Sequence, residues 1–480
     1  MTRSHSGFSG SKRAAASLAA LMVMAAAKDA AAGGLFFSDR GVRPLGRGGA
    51  MVAGTDDIGA IWYNPAGLAD AGTSVLADFA WLHFSSEFTR QAQVTDAGGT
   101  VRTITSPTVS GTSPVLPIPT LGASLAFGAK KEFTAAFGVY APYTAITSYP
   151  VTVDGSPAAS RYSLVSLDGS ALVGTGLFLA YKPIEEIRIG AGLQAIAGSF
   201  ASSVIFSANP ADRLVGAPED PKYDALSQLN AGPIFAPSAT AGVTVVPEKH
   251  VRFGMSGQLP YLINAPGTIH VRLPSAVEFD NAHQDGDHVH VKFELPAIFR
   301  LGVEVRPIER LRVEATFVRE FWTTHHSIDI VPDNVRLSGV TGFPNDFKVA
   351  TISIPRNFDN ANSYRLGGEF TVPFEGYRID LRTGLSYDQS AIPPAYVSPL
   401  TIDSDKITVA FGGSLHIGEH WRFDAVYAHI FAADQDVSPA IAAVPAVNPD
   451  KGNPTATLAV NGGHYSARAD VLGVGLNYRF

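Results

Sequence analysis

The stretch HQDGDHVHVKF gathers His283, Asp285, Asp287, His288 and His290, the imidazoles and carboxylates from which proteins build metal sites. His-x-His on a strand puts the rings of His288 and His290 on one face, but two rings alone do not define a coordination site. Polar residues collect in loops, and the stretch reads as a solvated loop, with no metal and no cofactor expected. Ser, His and Asp also occur, yet no GxSxG-like elbow or paired constellation stands out, and a triad is defined by geometry rather than by composition. The chain is therefore not expected to be an enzyme. A third set of charges is arranged rather than clustered. Arg300, Glu304, Arg312, Glu314, Arg365, Glu369, Arg378, Asp380 and Arg382 alternate with apolar neighbours and mix in sign. They predict an ion-pair lattice on one face of a sheet, with one basic member free to meet a substrate carboxylate.

The elements that would carry this lattice follow from the same alternation. In YRIDLRTGLSYD, Tyr377, Ile379, Leu381, Leu385 and Tyr387 share one face, and Arg378, Asp380, Arg382, Ser386 and Asp388 the other. FRLGVEVR and KITVAFGGSLHI repeat the split. A soluble sandwich also alternates, so the connections decide. Fourteen strand-like segments run from 74–88 to 464–480, among them 132–143, 162–182, 235–247, 250–262 and 289–306. Short links such as GAKKE, KPIEE and PEKH take turns with long ones rich in Pro, Gly, Asn and Asp. An even strand number with loops sorted by parity is the pattern of an outer-membrane barrel. The fold class is all-β: a transmembrane antiparallel barrel of about fourteen strands, with its charges turned inward, because Arg or Lys facing lipid at the midplane costs roughly 2–4 kcal/mol.

Composition agrees. Of 480 residues 46% are hydrophobic and 16% charged, against about a quarter charged in soluble domains, and there is no Cys. A net charge of −7 without a basic run gives no reason to expect a nucleic-acid partner. Arg3, Lys12 and Arg13 precede the apolar run AAASLAALMVMAAA, followed by small residues. That order reads as a secretory signal peptide over 1–32, cleaved between 27 and 33, and its run is too short for a spanning helix. The last strand, DVLGVGLNYRF, alternates to its final residue. A terminal strand with Tyr478 and a closing Phe480 resembles the signal that the outer-membrane barrel assembly machinery reads.

Residues 33–73 precede the first strand and lack sustained alternation. Fourteen strands enclose more space than their side chains fill, since about eight already bring them into contact, so this segment is the expected plug of a barrel spanning 74–480. Asp56 or Asp57 is placed to cap a short helix, and Asn64-Pro65 with Gly67 to end it in a turn.

The stretch RGVRPLGRGGAMVAGTDDIGAIWYNPAGL resembles the amino-terminal hatch of the FadL/TodX family of outer-membrane transporters for long-chain fatty acids and other hydrophobic compounds. The resemblance rests on Gly46-Arg47, Asp56-Asp57 and Asn64-Pro65-Ala66-Gly67, and on LTIDSDKITVAFGGSL, which is similar to the start of that family's twelfth strand. It implies a monomer in the outer membrane of a Gram-negative bacterium, with outer-membrane lipid around it and a hydrophobic small molecule as cargo. Loops would capture the cargo, and it would leave sideways at a kinked third strand, by passive diffusion past a hatch. In EFTAAFGVYAPY the residues so placed are Phe137, Gly138 and Pro142; Gly138 either weakens the ladder or makes room for the plug. The capture loops would lie near 207–234 and 264–289, the first with Leu226 and Leu229 as a greasy face. A general diffusion porin or a structural barrel is the alternative, and a porin would not need the plug.

Overall fold

The computed structural model describes residues 39–95, 98–115, 117–141, 146–208, 219–342, 347–447 and 459–480. The signal peptide, the first residues of the expected plug and Pro142 lie outside the described residues.

Fourteen antiparallel strands close into a ring. The first seven are β1 (Ser74–Thr95), β2 (Pro117–Phe127), β3 (Phe133–Tyr140), β4 (Ala171–Ile184), β5 (Ile187–Ser207), β6 (Asp224–Glu248) and β7 (Val251–Gln258). The other seven are β8 (Ala297–Ile308), β9 (Leu311–Phe321), β10 (Ala361–Pro373), β11 (Tyr377–Asp388), β12 (Lys406–Ile417), β13 (Trp421–Ala432) and β14 (Gly463–Arg479). Each pairs with the next, and β1 pairs with β14 from Ser74↔Arg479 through Arg90↔Gly463, which leaves no free edge. Closure gives every strand a partner on both sides, as a hydrocarbon surrounding demands, with one interruption between β6 and the chain after β7.

Alternation places the residues as the pattern requires. Leu381, Leu385, Phe411, Phe423, Leu472 and Val474 stand exposed on the outside, while Glu304, Glu314, Arg365, Glu369 and Arg382 are buried inside. At the turn end, Tyr478 packs against Trp421 and Phe480, with ring centroids 4.5 and 4.9 Å apart, in the manner of an interfacial aromatic girdle.

Prolines account for most departures from the expected segments. The segments 250–262 and 289–306 each break, at Pro260 and Pro296, because Pro has no N–H to give the ladder. Beyond the breaks the chain continues as a hairpin, Tyr261–Arg272 paired with His288–Leu295, which Ser327–Pro332 and Ile352–Pro355 extend. The segment 162–182 becomes strand only at Ala171, after a 3-10 turn at Ala159–Tyr162. In contrast, β6 starts well before 235, so in YDALSQL everything after Tyr223, which ends a 3-10 turn, is strand and not loop.

Residues 39–73 fill the lower lumen as two short helices, α1 (Val42–Leu45) and α2 (Ala60–Tyr63), and a 3-10 turn at Pro65–Asp70. The wall makes room for them with glycine. A Cβ on Gly384 would meet the Arg47 carbonyl carbon at 2.0 Å, one on Gly190 the Pro65 carbonyl carbon at 2.3 Å, and one on Gly254 the Val52 oxygen at 2.5 Å. Adjacent glycines on β10 separate this requirement from glycine's other effects. A Cβ on inward Gly367 would meet the Arg47 oxygen at 2.3 Å, whereas one on Gly368 meets nothing nearer than 3.7 Å. Gly367→Ala should cost about 1–3 kcal/mol by overpacking, lowering the temperature at which the folded gel band converts to the unfolded one. Gly368→Ala should leave that temperature within error of wild type.

Candidate functional site

The lumen has two storeys of opposite chemistry. In the lower one the amino-terminal segment is tied to the wall by buried charges. Arg47, fully buried, reaches Glu304 at 3.3 Å and Glu314 at 3.2 Å. Glu314 also accepts hydrogen bonds from the backbone N–H groups of Val52, Ala53 and Gly54. Glu369 is shared by Arg43 (3.1 Å), Arg312 (3.3 Å) and Arg382 (2.6 Å). Asp56 pairs with Arg43 and with Arg312 at 2.8 Å, and Asp57 with Arg43 at 3.1 Å and Arg422 at 2.8 Å. Burial alone would raise the Asp56 carboxyl, but Arg312 and Arg43 outweigh it and hold it well below the ordinary carboxylate range.

The structure brings the Asn64 motif to the same storey. The Asn64 amide donates to the Val52 carbonyl at 2.9 Å and to Thr244 Oγ1 on β6 at 3.0 Å, while its oxygen accepts from Ala66 N and opens the 3-10 turn. Asn64 therefore ties segment to wall and ends α2; neither Asp56 nor Asp57 caps its start, since the N-cap is Gly59 without a side-chain bond, and Asp57 Oδ1 instead accepts from Gly59 N in the turn just before it. Pro65 and Ala66 press on Gly190, Gly46 faces Gly412, and Gly67 leaves space that Thr55 fills. Asp70 meets Arg188 and Arg252 at 3.0 and 3.5 Å, so the segment is anchored at both ends.

The upper storey is apolar. A pocket of about 870 Å³ is bounded by Phe206, Ala225, Ile269, Leu273, Phe279 and Val335. A second, of about 590 Å³, lies between Tyr162, Val204, Ile352, Leu400, Val444 and Val460. Phe293, Trp322, His325 and Phe358 pack together, three of the pairs edge to face and His325–Phe358 tilted, with centroids 4.9–6.3 Å apart. Burial pushes His325 down to about 3, so its ring is neutral. Beside it Arg356 is fully buried, with Nη1 donating to Thr401 Oγ1 at 2.8 Å. Its Nε and Nη2 have no hydrogen-bond partner among the described residues, and burial without a facing carboxylate pulls it down to about 10.

The remaining candidate residues are distributed as follows. Phe137 faces outward and is half-exposed, and Gly138 faces inward against Ile61 Cδ1. Pairing at both is intact, with Gly138 between Gly122 and Gly176. Leu229 is buried and Leu226 half-buried, and three residues apart on one strand they face opposite ways. His283, His288 and His290 are exposed, with His288 Nδ1 on Asp287 at 2.6 Å. Arg356 and Trp322 carried no signal in sequence: a single Arg after Pro355 reads like any solvated loop charge.

Two measurements test the lock. Glu369→Gln removes the carboxylate shared by three arginines and should cost about 3–5 kcal/mol, seen as faster backbone hydrogen exchange over 43–57. Asp56 has a folded pKa below its unfolded value, so its stabilisation is complete above about pH 4 and is lost only as pH falls further, through the depressed value. Asp56 should therefore add no pH dependence to exchange over 43–57 between pH 7 and 5: after correction for intrinsic rates, wild type and Asp56→Asn should differ by the same factor at both.

The chain matches the family described as outer membrane protein transport protein (OMPP1/FadL/TodX) over residues 23–480. Among solved structures, a Pseudomonas aeruginosa FadL homologue is similar at TM-score 0.70 and 16% identity, over 93% of this chain and 100% of that one. The Pseudomonas putida toluene transporter TodX is similar at TM-score 0.63 and 14% identity, over 93% and 99% of the two chains. The Ralstonia pickettii toluene transporter TbuX gives 0.59 and 15%, over 92% and 99%. At such identities the likeness is one of fold. No curated protein matches the sequence.

Proposed function

Since this chain belongs to the OMPP1/FadL/TodX family of outer membrane transport proteins, we propose that it moves hydrophobic molecules, long-chain fatty acids foremost, inward by passive diffusion, with residues 33–73 as hatch. The observation that carries the reading is the pairing of two apolar pockets with a charge-locked segment beneath them. An open pore for ions and sugars has no use for the first and is obstructed by the second. The pockets capture cargo from outside, desolvating it against Phe206, Ile269, Phe279 and Leu400. The hatch then denies water and ions a continuous path while the cargo moves on. The protein works as a monomer set in outer-membrane lipid, and the Tyr478–Phe480 terminus addresses the nascent chain to the barrel assembly machinery.

Arg356 favours an acidic head group over a plain hydrocarbon. A buried guanidinium with two unpartnered nitrogens is costly unless an anion joins it, and a carboxylate is its matching fork. Cells carrying the protein should take up labelled long-chain fatty acid faster than cells lacking it, and equal uptake would refute the transporter. Arg356→Gln should cut fatty-acid uptake about tenfold or more, from the loss of a charge-assisted bond worth roughly 1.5–3 kcal/mol. It should leave toluene uptake unchanged; an equal loss for both cargoes would remove Arg356 from head-group binding.

A further inference from the structure

Among the described residues β3 is paired on both sides over Phe133–Tyr140, whereas the wall comes apart between the sixth and seventh strands. β3 pairs with β2 from Phe127↔Phe133 to Thr120↔Tyr140, and with β4 from Phe133↔Tyr181 to Tyr140↔Gly174. β6 pairs with β7 up to Thr240↔Gln258, and two further bonds follow at the foot of the seam, Leu259 N to Ala239 O and Ser238 Oγ to Leu259 O. Pairing resumes only at Ala231↔Gly267 and runs on to Leu226↔Arg272. The register is the same on both sides of the interruption, because 240 − 231 and 267 − 258 are both nine. Residues 232–238 and 260–266 nonetheless form no ladder pair with each other.

The cause is a mismatch of pleats. Along β6 the lumen-facing residues are even from Thr244 through Thr240, Ala236 and Ile234, then odd from Ala231 through Leu229 and Ser227, switching at the bulge between Ala231 and Ile234. Along the neighbouring chain they are even through Ser256 and Gln258, then odd from Tyr261 through Ile263 and Ala265, switching at Leu259-Pro260. The two switches lie at opposite ends of the seam. Between them the register sets buried Ala236 against exposed Leu262, and exposed Phe235 against buried Ile263. A ladder needs both partners on one face, so none forms. Pro233, Pro237, Pro260 and Pro266 further lack N–H groups.

The seam lies on an apolar route. Directly above it, the same two strands line the larger pocket through Ala225, Ser227, Ile269 and Val271. Its inner side, Ile234, Ala236, Tyr261 and Ile263, joins the cluster containing Ile269 above and Ile61 and Trp62 below. Its outer side presents Phe235, Leu259 and Leu262, each more than half exposed. Ser238 is ten residues from Glu248 at the short turn. At about 3.3 Å per residue and a tilt of about 40° that places the seam roughly 25 Å above the turn, at the top of a ~25 Å apolar band.

We propose that the seam between β6 and the Pro260 hairpin is the side door by which an apolar cargo passes from the lumen into the outer leaflet. It parts without breaking ladder bonds, since none are formed between 232–238 and 260–266, and apart from Ser238 and Asn264 the residues of these two stretches are apolar, Gly or Tyr. The inference rests on the transporter reading above.

The chain has no Cys, so Phe235→Cys with Leu262→Cys can be bridged by a short, reductant-cleavable bis-thiosulfonate. Leu385→Cys with Val409→Cys, on the fully paired β11–β12 seam, is the control, and heat-modifiable mobility checks that both fold. Uptake of labelled long-chain fatty acid and of labelled toluene is measured in cells. Bridging 235 to 262 should slow both at least fivefold and reductant should restore them, with the control pair unaffected. Uptake unchanged by the bridge, or slowed equally in the control, overturns the side door and leaves the transporter standing. Wild-type uptake no greater than in cells lacking the protein overturns the transporter, and the side door with it.

Discussion

A ring of fourteen strands is too wide for its own side chains to fill, and the rest of the structure is an answer to that space. In the lower lumen the answer is polar. Carboxylates on the wall, Glu304, Glu314 and Glu369, meet guanidiniums on both wall and segment, Arg43, Arg47, Arg312 and Arg382. An isolated ion pair gains little once its desolvation is counted. Here each carboxylate serves two or three cations or several backbone N–H groups, so almost none of its capacity is left unmet. Such a network is demanding about position, because moving one member by an ångström strands several others. That demand is what makes a segment of only two short helices sit in a single place.

Glycine is the geometric half of the same answer. The segment touches the wall backbone to backbone, and inward side chains at Gly190, Gly254, Gly367 or Gly384 would overlap it. The wall thus alternates charged residues that hold the segment with bare positions that admit it. Glu369 and Gly367, two residues apart on one face of β10, show both roles on a single strand.

The barrel and its inward charges were legible in sequence because both obey period two, and a period is visible without knowing what lies opposite. Asn64 and the two aspartates stood out as a compact motif. The lattice partners could be named as a set but not paired, since Arg47 and Glu304 are 257 residues apart and only closure brings them together. Leu226 and Leu229 looked like one face of a short amphipathic turn, and the strand that holds them puts them on two. Arg356 was invisible for the opposite reason: its environment is assembled from Trp322, His325, Phe358 and Thr401 on three separate loops and turns.

The seam shows what a period can and cannot announce. Each strand beside it contains a phase switch that can be read locally, at Leu259-Pro260 and around Gly232-Pro233. One switch opposite another does no harm: β7 and β8 change phase together at Pro260 and Pro296 and stay paired on both sides of the change. β5 and β6 likewise shift together, near Gly198 and Ala231. It is the offset between these two matched pairs that opens the wall, and the offset is a property of register rather than of either strand. A weakness so placed lies above the ion-paired lower lumen and beside the larger apolar pocket, where the proposed side door needs it.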